Sequence, residues 1–400
     1  MSTTLEQMQE AYQELIFNSY TRYPVTAERA LGSRIWDADG KEYIDLLAGI
    51  AVTSLGHSHP EVAETIAAQS RKLVHVSNLL YQQGQIDLAR ALKSTAHFGK
   101  VFFCNSGAEA NEAAVKLARR YQQRIRNTDA YEVITFEGAF HGRTLAMLGA
   151  TGGKALQDGF APIPEGFRHI PWGDPAALEA AISGKTAAVL LEMVQGESGV
   201  RPVTQAFATA VQDICRKRGV LFIADEVQCG MGRTGKWWGF QHFGLTPDIM
   251  STAKALANGL PMGAMMATDE IARAFVPGSH ATTFGGSALL CAAAVKTHEI
   301  IVRDKLMENA ASMGAWALER FAQIRAKFPS AIADVRGLGL MIGVELASGG
   351  KEIWAALLDK GFIVNLSHER TLRLLPALNV DKGELEAFAA ALEDILAVRA

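Results

Sequence analysis

Cysteine is scarce in this sequence, with four residues among 400 and no CxxC pair, which suits a reducing cytosol. No run of about 18 strongly apolar residues occurs either, so we expect no transmembrane helix. The N-terminal segment "MSTTLEQMQEAYQEL" is polar and acidic, unlike a secretory or transit peptide. These absences predict a cytoplasmic protein without a membrane partner.

Net charge is almost absent, since 39 basic and 42 acidic side chains give -3. This balance provides no electrostatic reason to expect a nucleic-acid partner. The composition, 49% hydrophobic and 20% charged, is that of an ordinary soluble globular protein. Because 400 residues exceed one typical core, we predict two domains, or one large domain with a smaller lobe.

Short apolar runs alternate with helical patterns in the middle of the chain. The predicted strands are "KVFFCN", "YEVITF", "TAAVLLEMV", "GVLFIADEV", "PDIMST" and "PMGAMMAT", and the helices between them include "AEANEAAVKLARRYQQRI" and "TQAFATAVQDICRKRG". This alternation predicts an α/β fold, a large domain with a mostly parallel sheet covered by helices on both faces. Ligands of such sheets bind at the carboxyl ends of the strands.

After about residue 300, long helices bracket the short strands "GLMIGVEL" and "TLRLLPAL". This pattern predicts a smaller α+β lobe, built from the N- and C-terminal segments, with "SRIWDADGKEYIDL" as an N-terminal hairpin. The predicted division is 1–60 for the N-terminal segment of the small lobe, 61–290 for the large domain and 291–400 for the C-terminal small domain.

A single charge, Lys254, interrupts the apolar stretch between Asp248 and Asp269. Its ammonium group is either snorkelling to water or desolvated and retained as a nucleophile, typically for a Schiff base. The rest of the chain offers partners for such an amine. Asp225 ends a probable central strand, where a carboxylate is costly unless a cation such as a protonated pyridine nitrogen faces it. Its neighbour Glu226 reads more simply as a helix-capping or loop acid.

Further partners follow two other strands. Ser106 and Glu109 have capping-box spacing, and the small residues Gly107 and Ala108 leave the first N–H groups of a helix open to an anion. In "TFEGAFHGRTLAM", an aromatic ring at a strand end suits stacking on a planar ring, and an arginine three residues later suits a carboxylate. Alone, the helix start is equally compatible with simple capping, and the second pattern favours a core phenylalanine and a surface arginine.

Two other motifs give weak signals. "HSH" at 57–59 has no third ligand at a recognisable spacing and predicts a structural role, with no metal. The glycines in "GMGRTG" match a dinucleotide-binding pattern and raise the alternative of an NAD-dependent dehydrogenase. No clean helix follows them, and Asp248 lies only 13 residues after Gly235 (248 − 235 = 13), too near for a ribose-binding acid.

The chain resembles the class III aminotransferases, fold-type-I enzymes that use pyridoxal 5'-phosphate. The resemblance covers nearly the whole chain, and its motifs, in order, are "NSGAEANEAAVKLAR", "FHGRT", "QGESGV", "DEVQCGMGRTG", "STAKAL" and "TTFGG". It implies a catalytic pair, Lys254 as the Schiff-base lysine and Asp225 as the partner of the pyridine nitrogen. The cofactor-binding residues that it implies, besides these two, are Ser106, Gly107, Ala108, Phe140, Glu226, Val227, Gln228 and Thr283.

The resemblance also implies a substrate site and a partner subunit. Arg143 holds the substrate α-carboxylate, aided by Tyr20 and by Thr282 of the partner subunit, while Thr283 reaches the phosphate across a homodimer. Glu197 and Arg373 match a pair that forms a switch in the family.

The expected reaction transfers the amino group of N-acetylornithine to 2-oxoglutarate, a step of arginine biosynthesis. Ile50 stands where ornithine-specific members carry tyrosine, which argues against free ornithine as donor. Succinylornithine, ornithine, 4-aminobutyrate and diamines remain alternative donors, and a non-catalytic binding module remains an alternative of another class.

Overall fold

Strands and helices alternate over the middle of the chain in the computed structural model, which describes residues 4–399. In chain order the strands are β1 (Ala27–Leu31), β2 (Arg34–Asp37), β3 (Glu42–Asp45), β4 (Lys100–Cys104), β5 (Glu132–Phe136), β6 (Phe167–Ile170), β7 (Thr186–Glu192), β8 (Val194–Gln195), β9 (Arg201–Pro202), β10 (Leu221–Asp225), β11 (Ile249–Thr252), β12 (Gly263–Ala267), β13 (Ile332–Leu338), β14 (Met341–Leu346), β15 (Phe362–Ile363), β16 (Asn365–Ser367) and β17 (Thr371–Leu374).

The α-helices range from short turns to one of 22 residues. They are α1 (Leu5–Leu15), α2 (Ala48–Ala51), α3 (Pro60–Lys72), α4 (Gln83–Lys93), α5 (Gly107–Arg120), α6 (Leu145–Ala150), α7 (Lys154–Gln157), α8 (Pro175–Ala181), α9 (Gln205–Arg218), α10 (Asp269–Ala272), α11 (Ala288–Arg303), α12 (Leu306–Lys327), α13 (Gly350–Asp359) and α14 (Lys382–Arg399). Across residues 4–399, no helix has both the length and the apolar character needed to cross a membrane.

The central sheet has seven strands in the order β4-β12-β11-β10-β7-β5-β6. Only β12 among them runs antiparallel to its neighbours, so the predicted mostly parallel sheet is confirmed. The side chains of β10 alternate between two apolar cores. Phe222 and Ala224 face one of these cores, while Leu221 and Ile223 face the other. Helix α9 packs on the first face and α5 on the second, so the sheet is buried on both sides.

The remaining strands form the smaller lobe. The predicted N-terminal hairpin is β2–β3, and its sheet, ordered β1-β2-β3-β15, takes its last strand from the C-terminal part of the chain. A second sheet has the order β13-β14-β17-β16 and is covered by α12. The α+β lobe built from both ends of the chain is therefore confirmed. Its bounds at residues 60 and 290 stay a prediction.

The two motifs with weak functional signals, "HSH" and "GMGRTG", make contacts that stabilise the fold. His57 Nε2 lies 2.7 Å from Asp45 Oδ2, and the other oxygen of Asp45 accepts the N–H groups of Leu47 and Ala48 at the start of the left-handed turn α2. The glycine-rich segment after β10 leads into turns instead of a long helix. A Cβ at Gly232 would lie 3.2 Å from side-chain atoms of Met307 and Leu378, so this glycine allows close packing on the C-terminal lobe.

Candidate active site

The carboxyl ends of the central strands border a cavity of about 450 Å³. Strand β10 ends at Asp225 and β7 ends at Glu192, and these two residues are direct partners in the parallel register. Strand β11 ends two residues before Lys254. All three side chains line the cavity, so parallel pairing places two carboxyl groups and one amine at a single site.

Asp225 is 3% exposed, and its carboxylate is held by three donors. His141 Nδ1 and Asn111 Nδ2 each lie 2.8 Å from Oδ2, and the N–H of Val227 donates to Oδ1 at 3.0 Å. Because a carboxylate only accepts, the proton of His141 is on Nδ1. Ser251 Oγ donates to Asn111 Oδ1 at 2.6 Å and fixes the orientation of that amide. This network holds the Asp225 carboxylate in one orientation.

The sequence predicted no role for His141 or Asn111. His141 stands inside "FHGRT", beside two predicted site residues, and this proximity was the one available signal. Asn111 stands four residues after Gly107 on α5, so it lies on the same side of that helix as the predicted phosphate-binding turn.

Glu192 is a second carboxyl group that the sequence did not single out as a site residue. Burial raises the pKa of Glu192 well above its ordinary value, and the neighbouring Asp225 charge raises it further. Glu192 accepts one hydrogen bond, from the N–H of Phe140 at 3.2 Å. The raised pKa favours the neutral form of Glu192.

Lys254 begins a 3₁₀-helix, Lys254–Ala257, with a positive φ of 46°. Desolvation lowers the pKa of its ammonium group, and the nearby Arg373 charge lowers it further, while the Glu197 and Asp225 charges act in the opposite direction. The side chain of Lys254 is half-buried and lines the cavity, and its retention as a nucleophile stays a prediction. A lowered pKa increases the share of the neutral amine, the form that acts as nucleophile or base.

The start of α5 forms the opposite end of the cavity. Ser106 Oγ caps the helix by accepting the N–H of Glu109 at 3.1 Å, as predicted, while the Glu109 carboxylate accepts from Asn105. The N–H groups of Gly107 and Ala108 belong to the first turn, where no intrahelical acceptor exists. A Cβ at Gly107 would lie 2.7 Å from Val227 Cγ1, so only glycine fits this approach.

Four more predicted residues line the cavity: Phe140, Arg143, Val227 and Gln228. The Arg143 guanidinium lies 5.7 Å from the centroid of the Phe140 ring and is otherwise exposed to solvent. Gln228 is 8% exposed, and its Oε1 has no hydrogen-bond partner among residues 4–399. An unpaired buried acceptor at a cavity wall suits a polar ligand group.

These residues fit pyridoxal phosphate. The open N–H groups of the α5 start suit its phosphate, and the oriented Asp225 carboxylate suits its pyridine nitrogen. The Lys254 amine suits its aldehyde, and Gln228 Oε1 suits its phenolic group. Val227, fixed against Gly107, and the Phe140 ring provide apolar surfaces for the two faces of a planar ring.

The predicted switch residues form an ion pair. Arg373 Nη1 lies 2.7 Å from Glu197 Oε1, and Arg373 Nε donates to Asn365 Oδ1 at 3.1 Å. The Arg373 side chain is 1% exposed and that of Glu197 39%. Glu197 therefore lines the cavity, and Arg373 is buried behind it. Burial favours the neutral carboxyl, but the charge and hydrogen bond of Arg373 outweigh it and lower the pKa of Glu197.

Four predicted residues lie outside the cavity. The Glu226 carboxylate accepts the N–H groups of Gly239 and Phe240 at 2.8 and 2.9 Å. It therefore caps the 3₁₀-helix Gly239–Phe243, the role that its sequence context favoured over a cofactor contact, and burial raises its pKa to about 8. Tyr20 is 72% exposed. It lines a different cavity from the one that Lys254 lines.

Thr282 and Thr283 belong to a neighbouring cavity that opens beside the start of α5. Thr282 Oγ1 accepts from Asn105 Nδ2 at 3.2 Å, and Thr283 is exposed. Within one subunit, neither threonine reaches the cavity that Lys254 lines.

Comparison with known proteins identifies the family of this chain. The model of the family "Aminotransferase class-III" matches residues 16–396. Acetylornithine aminotransferase of Methanocaldococcus jannaschii is 44% identical over 380 residues, 94% of each chain. The enzyme of that name from Methanothermobacter thermautotrophicus is 43% identical over 382 residues, 96% of each chain.

Solved structures of aminotransferases match this chain over nearly its whole length. Ornithine aminotransferase of Toxoplasma gondii, whose active site is partly occupied by PLP, superposes with a TM-score of 0.95 at 29% identity, covering 99% of this chain and 96% of that one. Acetylornithine aminotransferase of Elizabethkingia anophelis gives 0.89 at 31% identity, with 99% of both chains covered.

Proposed function

Because this chain belongs to the class-III aminotransferases, we propose that it transfers the amino group of N2-acetyl-L-ornithine to 2-oxoglutarate, giving N-acetyl-L-glutamate 5-semialdehyde and L-glutamate. The chain is an aminotransferase with pyridoxal 5'-phosphate as its cofactor. The observation that carries the choice of substrates is the Glu197–Arg373 ion pair beside the cavity of Lys254, because it suits one carboxylate-bearing and one neutral substrate tail.

Bound pyridoxal phosphate supplies an aldehyde that carries the amino group and a protonated ring that delocalises charge. The α5 start, with Ser106, Gly107 and Ala108, holds the phosphate, and Asp225 keeps the pyridine nitrogen protonated. His141 and Asn111 orient Asp225 and have no other cofactor role in this proposal.

Lys254 would hold the cofactor through its amine, and its Nζ would accept and donate the proton that the reaction moves. The surroundings of this amine support the role, since its lowered pKa increases the fraction able to accept a proton near neutral pH.

One site binds both substrates. Arg143, exposed at the cavity border, holds the α-carboxylate common to both. With the ion pair closed, as observed, Glu197 neutralises Arg373 and presents a neutral wall to the acetamide of acetylornithine. When Glu197 swings away, Arg373 binds the γ-carboxylate of glutamate or 2-oxoglutarate. Glu197, partly exposed, is the member of the pair with room to move.

The active unit is a homodimer in which Thr283 reaches the phosphate bound by the partner subunit and Thr282 contributes to the partner's substrate site, while Tyr20 aids Arg143. Large exposed apolar side chains support this assembly: Leu79 is 91%, Tyr81 105% and Phe284 62% exposed. Asn78 Nδ2 donates to the carbonyl oxygens of Thr282 and Gly285, so these apolar residues and the threonine loop share one surface. A second copy of the chain would cover it.

The cytoplasm is the proposed location and arginine biosynthesis the proposed pathway. All four cysteines are free and buried, in keeping with a reducing compartment.

A panel of amine donors tests the proposed reaction, with 2-oxoglutarate as acceptor and glutamate formation as the readout. We expect kcat/KM for acetylornithine to exceed that for ornithine, succinylornithine, 4-aminobutyrate and diaminobutane by at least about tenfold, or 1.4 kcal/mol. A larger value for another donor would assign the chain to that donor and reject acetylornithine.

A further inference from the structure

The switch residue Glu197 stands on a strained loop. Strands β8 and β9 pair antiparallel, and residues 196–200 connect them. Val200 in this loop has a φ of 56° and is fully buried. A β-branched residue in the left-handed region is strained, and it persists only when its surroundings hold it there.

Arg336 on β13 holds the strained segment. Its Nε donates to the carbonyl oxygens of Gly199 and Val200 at 3.0 and 2.9 Å, and its Nη2 donates to Gly199 at 2.6 Å. On the other side, Nη1 lies 2.9 Å from Asp334 Oδ2 and 2.7 Å from Glu345 Oε2. The two carboxylates fix the guanidinium, and the guanidinium fixes both carbonyls of the loop.

The same sheet holds the other end of the loop and the other switch residue. Ser367 Oγ on β16 donates to the carbonyl oxygen of Glu197 at 2.6 Å. Asn365 on that strand accepts from Arg373, which lies on β17. The carbonyl groups of Glu197, Gly199 and Val200 are thus fixed to the sheet β13-β14-β17-β16, which also carries Arg373.

We propose that Arg336 is a positioning residue for donor selection: by holding Gly199 and Val200 it keeps Glu197 opposite Arg373. This inference rests on the proposed function, in which the closed pair presents a neutral wall to acetylornithine. Loss of Arg336 lets the loop relax, so Glu197 neutralises Arg373 less well. The neutral donor then loses its neutral wall, whereas glutamate still finds Arg373.

Arg336→Gln removes the clamp, and Arg325→Gln is the matched control. Arg325 also pairs with Asp334, at 3.5 Å, but it contacts neither loop carbonyl among its hydrogen bonds in residues 4–399. Both activities of Arg336→Gln are compared with those of the wild type. The factor by which kcat/KM for acetylornithine falls should be about ten times the factor by which the half-reaction rate with glutamate falls. Arg325→Gln should leave this ratio unchanged.

Hydrogen exchange of the holoenzyme provides a readout independent of turnover. Amides in the peptide covering residues 194–202 should exchange about tenfold faster in Arg336→Gln and at the wild-type rate in Arg325→Gln. Arg336→Lys keeps the positive charge but lacks the guanidinium fork, so it should show the same loss, and it replaces the glutamine variant if that fails to fold.

Unchanged exchange in residues 194–202 would overturn the clamp itself. Faster exchange with equal losses for both donors would overturn the role in donor selection. If the wild-type enzyme used neither donor, the proposed function would fail, while the exchange data would still decide whether Arg336 holds the loop.

Discussion

Replacing Arg373 with alanine separates the two half-reactions more sharply than any other single change. The guanidinium is 1% exposed and makes one ion pair at 2.7 Å and one hydrogen bond at 3.1 Å. Its removal takes away the cation that binds a γ-carboxylate and leaves the Glu197 charge without its partner. Both effects act against glutamate and 2-oxoglutarate, whereas the acetamide of acetylornithine needs no cation.

The magnitude follows from the burial of the pair. Truncating one member of a buried, hydrogen-bonded ion pair at a binding site costs roughly 2–5 kcal/mol. The half-reaction with glutamate should therefore slow by about 30- to 4,000-fold. With acetylornithine we expect a loss below about tenfold, because Arg143 still holds the α-carboxylate.

Single-turnover absorbance of the bound cofactor measures both rates in one assay. Arg370→Ala is the matched control, since Arg370 stands three residues earlier on the same hairpin, is 55% exposed and pairs with Glu345 at 3.4 Å. It should change neither rate by more than about twofold, as expected of an exposed ion pair. Equal losses for both donors in Arg373→Ala would show that Arg373 is structural or binds any carboxylate, and the switch would have to be abandoned.

Three other substitutions test further parts of the site. Asp225→Asn should keep the cofactor but reduce turnover about 30- to 1,000-fold, because an amide does not keep the pyridine nitrogen protonated; a variant within about threefold of wild type would refute the role. Mixing Thr283→Ala with Lys254→Ala protein under subunit exchange should restore activity above both parents, whereas no gain despite proven exchange would exclude a shared site. Glu192→Gln should stay within about threefold in kcat/KM, because the raised pKa of Glu192 favours the neutral carboxyl that the amide resembles. Wild-type folding stability should fall as pH rises from about 4.5 through the raised pKa; in denaturant titrations the glutamine variant should show a smaller fall, because Glu226, whose pKa is raised to about 8, still contributes.

The fold was predictable because its signals are local. Buried parallel strands read as mainly apolar runs, and β7, β10 and β11 are buried from end to end and mainly apolar. Because parallel strands end at one edge, the sequence also predicted that Asp225 and Lys254 meet. The meeting of Glu192 with Asp225 depends on the register of β7 against β10, which no local pattern sets.

Other features of the site arise from contacts between distant segments. His141 and Asn111 reach Asp225 from 84 and 114 residues away. The strained conformation of Val200 is held by Arg336, 136 residues later, so neither residue alone indicates its role. Thr282 and Thr283 lie outside the cavity of their own subunit, and their predicted roles depend on a second copy of the chain.

The central claim is that Lys254 carries an amino-group transfer from acetylornithine to 2-oxoglutarate. The most direct measurement follows the visible absorption band of the cofactor in purified protein as each substrate is added in turn. For the wild type and for the exposed-lysine control Lys236→Ala, we predict that acetylornithine removes the band and that 2-oxoglutarate restores it. Lys254→Ala should show neither change. A Lys254→Ala protein that cycles like the wild type, or a wild-type band that acetylornithine leaves intact, would contradict the account.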